Sequence, residues 1–152
     1  MSQPTQGALI ARKVGDIELG FFAAPEYLAR HGAPMSFEDL EDHAVIGFDS
    51  PARGISDLPG LKRPVNRETF TFRSDSDLAQ LAALKAGFGI GVTQPVIARR
   101  YGLTRVMSNL VLFNMTTWVV MHENMKGSRR IKLMFDHLVA GLSDYIAEGR
   151  KG

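Results

Sequence analysis

The chain has 152 residues, is 45% hydrophobic and 22% charged, and carries a formal net charge of +2. That size fits one domain, or one lobe and part of another, around a globular core. The absence of cysteine excludes disulfides, thiolate metal sites and cysteine nucleophiles, and no apolar run approaches the about 20 residues needed to cross a bilayer.

The N-terminus, MSQPTQGALIARK, shows no charged start followed by an apolar core, so the sequence reads as cytoplasmic. Residues 1–7 are polar and expected to be disordered. Ile17–Ala24 (IELGFFAA) reads as a strand closed by Pro25, and PEYLARHG as a short helix opened by Pro25 and stopped by Gly32. Ser36, with Asp39 three residues on, approximates a capping box before a second short helix. Val45–Phe48 reads as a short buried strand, and 49–67, rich in Gly, Pro, Asp and Arg, as loop.

Thr69–Arg73 (TFTFR) alternates strictly, which predicts a strand with one buried face. Asp75 or Ser76 then caps a helix on which Leu78, Leu81, Ala82 and Lys85 share a face, and Gly87 ends it. A strand over Gly89–Thr93, a helix from Pro95 to Tyr101, and strands over Leu103–Met107 and Met115–His122 follow. Ile131, Met134, Phe135, Leu138, Val139, Leu142, Tyr145 and Ile146 make one apolar stripe on a long final helix. Strands alternating with helices imply an α/β architecture around a largely parallel or mixed sheet.

Charge is uneven along the chain. Residues 1–84 hold 8 basic and 12 acidic side chains, and 85–152 hold 10 and 4, giving −4 and +6. The positive residues are scattered and no aromatic side chains stand between them, so they read as solvated surface rather than a nucleic-acid track. Enzyme chemistry has no support. His31, His43, His122 and His137 lack metal-ligand spacing, and neither a nucleophile elbow nor a phosphate loop is present. Gly87-Phe88-Gly89-Ile90-Gly91 follows a helix and precedes a strand, the reverse of a dinucleotide fingerprint, and reads as a tight connection. Glu38, Asp39, Glu41 and Asp42 read as solvated. No cofactor and no metal is expected.

Binding chemistry is better supported. Ser74, Asp75 and Ser76 stand where a strand ends and a helix begins, and Thr93 and Gln94 stand before the helix that Pro95 opens. Unpaired backbone N–H groups at helix starts attract carboxylates and phosphates, and α/β sheets collect ligands at the carboxyl ends of strands. The same residues also fit purely structural roles, Asp75 or Ser76 as a cap and Thr93 and Gln94 as loop.

Taken together, these motifs resemble the effector-binding domain of LysR-type transcriptional regulators. The resemblance rests on Pro25, Tyr27, Leu28, Gly32, Pro34, Glu38, Asp39, Leu40 and Phe48, then on Ser74–Ser76, the alanine-rich helix, Gly87, Gly89, Ile90 and Pro95. It closes on Arg130, Phe135 and Leu138 and runs from about residue 8 to residue 147. It implies a periplasmic-binding-protein-like α/β fold: a complete second lobe over about residues 20–115, and the C-terminal strand and helix of the first lobe over about 115–147, within a domain spanning 8–150. Position by position, Ser74, Asp75, Ser76, Thr93 and Gln94 would line the second-lobe wall of the effector cleft, with Phe48, Asp49 and Ser50 at the strand end nearby.

In that family a winged helix-turn-helix and the first half of the first lobe would stand before Ala8, where this chain has seven residues. The expectation is therefore a fragment of a regulator that senses a small, anionic metabolite, forms a dimer or tetramer, and meets DNA only through a helix-turn-helix domain absent from this chain. The final helix, lacking its family partner strands, should expose its apolar stripe or pack it against another copy. The alternative is a free-standing α/β module that acts through protein–protein contacts.

Overall fold

The computed structural model describes residues 8–50, 67–110 and 112–151. The expected disorder of residues 1–7 and most of the 49–67 loop lie outside the described residues. The chain divides into a larger unit, Leu19–Phe113, and a smaller one made of 1–18 and 114–152. Strand β1 (Leu9–Ala23) is longer than its sequence suggests and lends its first part to the smaller unit and its second part to the larger.

In the larger unit the second part of β1 pairs antiparallel with β4 (Ile90–Thr93), Phe22 opposite Gly91 and Ala23 opposite Ile90. Its other edge pairs antiparallel with β5 (Thr104–Val106), Phe22 opposite Arg105. Strands β2 (Ile46–Gly47) and β3 (Phe72–Arg73) run parallel, and a parallel bridge from Val45 to Ile90 sets β2 beside β4. The sheet is thus mixed, and β2, β3 and β4 end on the same edge.

Successive strand residues face opposite sides, so Phe21 and Phe22 seed two cores. Phe21 packs with Tyr27, Leu40, Val45, Phe70, Ile90 and Val106, while Phe22 packs with Ile46, Leu84 and Ala98. Helix α1 (Pro25–His31) closes the first side. Helices α2 (Asp77–Lys85) and α3 (Pro95–Arg100) close the second through Leu84 and Ala98. Pro25 and Pro95 occupy helix starts, where a missing N–H costs nothing, and Gly32 ends α1 at φ 77°. Glycine is required at 47 and 89 by close approach: a Cβ at Gly47 would strike the Phe70 ring, and one at Gly89 the Ala44 carbonyl.

Three local expectations change. The segment after Ser36 is a 3-10 turn, Glu38–Asp42, capped at Phe37 with no side-chain bond. Asp39 Oδ2 instead accepts from the backbone N–H groups of Met35 (2.8 Å) and Ser36 (2.9 Å). Those two bonds hold its carboxyl below its ordinary pKa, so it is a local clamp rather than a bare solvated charge. In TFTFR only Phe72 and Arg73 pair as a strand; Arg67–Thr69 forms a 3-10 turn that folds Phe70 into the core. On α2 Leu84 is buried and Gln80, Leu81 and Ala83 are half-buried, whereas Ala82 is exposed and Leu78 is 80% exposed. Lys85 lies outside the buried face, its Nζ 3.9 Å from the centre of the Tyr101 ring.

In the smaller unit the first part of β1 pairs with β6 (Phe113–His122). Ala8 bonds Glu123 and Asp16 bonds Thr116, so the two strands run in opposite directions. Helix α4 (Arg129–Gly149) lays Phe135, Val139 and Leu142 on Val14, Val119 and Met121. The expected single stripe is divided: Phe135, Val139 and Ile146 are buried, while Met134 and Leu138 stand 57% and 44% exposed. Two strands are too narrow to cover both sides of the stripe.

Candidate functional site

The carboxyl ends of β2, β3 and β4 carry all eight residues singled out in the sequence. Phe48, Asp49 and Ser50 follow β2; Ser74, Asp75 and Ser76 join β3 to α2; Thr93 and Gln94 join β4 to α3. Their clustering follows from the parallel β2–β3 pair and the Val45–Ile90 bridge.

Ser76 is the N-cap of α2, its Oγ accepting from the Ala79 N–H at 3.3 Å. Ser74 Oγ accepts from the Ser76 N–H at 3.2 Å. The Ser74 N–H donates to the Gly47 carbonyl at 3.0 Å, and its own carbonyl accepts from Gln80 Nε2 at 2.7 Å. Both serine oxygens act as acceptors in these bonds, so each retains its hydroxyl hydrogen for an oxygen presented from outside. Thr93 is half-buried opposite Gly20 on β1, and Gln94 caps α3 with no side-chain bond to that helix.

Asp75 acts differently from its serine neighbours. Its Oδ1 accepts from the backbone N–H groups of Asp49 (3.1 Å) and Ser50 (2.9 Å), tying the β2 exit loop to the start of α2. Asp49 in turn receives Arg67, at 2.8 Å from both Nε and Nη2, and Arg73 at 3.8 Å. Asp49 and Asp75 are therefore each matched by donors within the larger unit. Arg67, Arg73 and Gln80 were missed in the sequence. Gln80 carried a legible signal, a polar residue one turn after the cap, whereas Arg67 lay in an unpatterned stretch.

On the opposite side of the sheet, the Tyr27 hydroxyl accepts from the Ala44 N–H at 3.0 Å and lies 2.9 Å from His43 Nδ1. The hydroxyl thus ties the Ala44 amide to the His43 ring, donating to Nδ1 or accepting from it according to the ring tautomer. His31 stacks on the same tyrosine with ring centres 4.6 Å apart. Both histidines thus have packing roles. Among the described residues no cluster of His, Cys, Asp or Glu has the geometry to hold a metal ion.

A mixed sheet covered on both sides, with polar residues gathered at three parallel strand ends, defines an open α/β unit, a class in which ligands characteristically gather at the carboxyl ends of strands. The LysR substrate binding domain model matches residues 1–143, and the chain belongs to that family. The regulatory domain of CrgA, a LysR-type transcriptional regulator from Neisseria meningitidis, superposes with a TM-score of 0.77 at 22% identity over 93% of this chain and 72% of that one. The HTH-type regulator CrgA is also 46% identical over 43 residues, 28% of this chain and 14% of CrgA. The uncharacterized HTH-type transcriptional regulator YhjC of Escherichia coli is 28% identical over 151 residues, 93% of this chain and 50% of YhjC. The chain thus spans about half the length of YhjC. These relatives are transcriptional regulators, not enzymes, and the periplasmic-binding-protein-like fold expected from the resemblance is the fold observed.

Proposed function

We propose that this chain senses a small organic anion at the carboxyl ends of β2, β3 and β4, as the effector-binding part of a LysR-type transcriptional regulator. The observation that carries this reading is the pair of serine hydroxyls at the start of α2, each accepting a backbone N–H and each keeping a hydrogen to donate. Beside them, the partial positive charge of the α2 start favours a carboxylate or phosphate oxygen. Thr93 and Gln94 add a hydroxyl and an amide from the next strand end, and Phe48 and Ser50 border the same edge. Asp49 and Asp75 hold the loop in shape through Arg67, Arg73 and two backbone N–H groups.

The assignment of residues 20–115 to a second lobe and 115–147 to the end of a first lobe belongs to this reading. So do a cytoplasmic location, a homo-oligomer of two or four copies, and DNA contact through a helix-turn-helix domain outside this chain. Among the described residues no helix is long and apolar enough to cross a membrane. In the regulator, effector binding would shift the balance between two oligomer states that hold DNA differently.

The test is thermal unfolding of the whole chain against a panel of small carboxylates and phosphates. A ligand at 100 times its dissociation constant stabilises by about 2.7 kcal/mol. At least one anion should raise the melting temperature, and Ser76→Ala and Thr93→Val should each shrink that rise. Thr93→Val leaves the α2 cap intact, so its effect separates ligand contact from helix capping. A rise that both variants leave unchanged contradicts the site.

A further inference from the structure

We propose that the anion site extends to Arg105 and takes a two-ended anion, an extended dicarboxylate whose second carboxylate lies on the Arg105 guanidinium. The inference rests on the reading of the β2, β3 and β4 edge as an anion site and adds to it the class of ligand. Arg105 stands on β5 opposite Phe22, and Phe22 shares one face of β1 with Gly20, because strand residues alternate. The Arg105 side chain crosses β1 on that face and ends over Gly20, where a Cβ would lie 3.4 Å from Nη2 and 3.5 Å from Cζ. A side chain longer than that of alanine at position 20 would take the space that the guanidinium fills.

Gly20 is also the cross-strand partner of Thr93, so Thr93 and the guanidinium share that face, about one strand spacing apart, at the carboxyl end of β4. Arg105 Nε is buried while the residue as a whole is half-buried, which anchors the stem and leaves part of the side chain open. A guanidinium offers five N–H donors in a planar fork that matches the two oxygens of a carboxylate. It can therefore serve a neighbour within the protein and a ligand together. Helix α2 covers the same face through Leu84, and its start at Ser76 lies just beyond the end of β3. Because β2 separates β3 from β4, the serine end and the arginine end stand two to three strand spacings apart, roughly 10–14 Å. A hydrogen bond of about 2.8 Å at each end leaves room for a chain of several carbons between two carboxylates. A small monoanion reaches one end only.

Thermal unfolding of the whole chain with succinate, adipate and suberate, each set beside the monocarboxylate of the same length (butyrate, hexanoate and octanoate), tests the proposal. At least one dicarboxylate should raise the melting temperature more than its monocarboxylate, with an affinity about tenfold or more higher, as a hydrogen-bonded charge pair provides. Arg105→Gln should remove that preference and keep the smaller monocarboxylate shift, because Ser74 and Ser76 still hold the first end. Arg105→Lys keeps the charge without the fork and should retain only part of the preference. Each variant is compared with its own unliganded melting temperature, so a general loss of stability leaves the readout intact. Equal shifts from the two kinds of acid in the wild type, or a preference that Arg105→Gln leaves unchanged, overturn this inference and leave the anion site standing. No shift from any of these acids overturns it as well, and the anion site falls with it only if phosphates are equally silent.

Discussion

The two units of this molecule meet the same requirement, burying an apolar face, with different success. In the larger unit both faces of a mixed sheet are covered, and Phe21 and Phe22 each reach a full cluster of partners. In the smaller unit one helix lies on two strands, and its core reduces to Val119, Phe135 and Val139 with Val14, Met121 and Leu142 at the margin. Leu133, Met134 and Leu138 stay exposed there. The difference is one of width. A sheet with helices on both sides encloses its side chains, whereas a two-stranded ribbon covers only the part of a helix that touches it. The proposed binding site lies in the enclosed unit, where a rigid sheet holds its hydroxyls in place.

The contrast can be broken most directly by emptying each core. Ile90 is fully buried at the centre of the larger sheet, so Ile90→Ala should cost about 4 kcal/mol in a denaturant titration, within the range for such truncations. Phe135→Ala should cost about 3 kcal/mol, the low end for a phenylalanine, because its site lies at the open margin of a small cluster. A Phe135→Ala loss well above that of Ile90→Ala would reverse the ranking of the two units.

A smaller effect sharpens the comparison on the polar side. Tyr27→Phe removes the hydroxyl shared by His43 and the Ala44 N–H and should cost about 2 kcal/mol, the penalty for leaving such groups unpaired. Amide exchange at Ala44 should speed up with it. An unchanged unfolding midpoint would mean that the hydroxyl carries no net stability.

The smallest effect is a pH dependence in the smaller unit. Asp16 accepts from Thr116 Oγ1 at 2.7 Å, and this bond, with Lys13 beside it, outweighs partial burial and lowers its pKa. A lowered folded-state value means stability that is present above the unfolded value near 3.9 and is lost as pH falls through the folded one. The wild type should therefore lose its advantage over Asp16→Asn on acidification below about pH 4. A difference that stays constant from neutral to acid pH would contradict the bond.

Much of this was legible where the signal is local. Pro25, Ser76, Gly87 and Pro95 punctuate the chain through backbone chemistry that needs no distant partner, and the elements begin or end at or beside them. The family resemblance drew on the same punctuation. What misled was pattern without context. Thr69–Arg73 alternates like a strand, yet its first residue belongs to a 3-10 turn because Phe70 is drawn into the core against Gly47. On α2 the apolar Leu78 suggests a face that only Leu81 keeps, because Gln80, Ala83 and Leu84 are the other residues turned away from solvent. At the site, the serines could be read as a cap, but the Asp75 bonds to residues 49 and 50 and the Arg67–Asp49 pair join distant segments, and no local spacing encodes them.

The most direct measurement of the central claim is an amide NMR titration of the isotope-labelled chain with the carboxylate or phosphate that most raises its melting temperature. The account predicts saturable shifts concentrated at Ser74, Ser76, Thr93 and Gln94, with the amides of Asp49 and Ser50 following through Asp75. Shifts confined to other parts of the chain, or none that saturate, would contradict an effector site at the carboxyl ends of β2, β3 and β4.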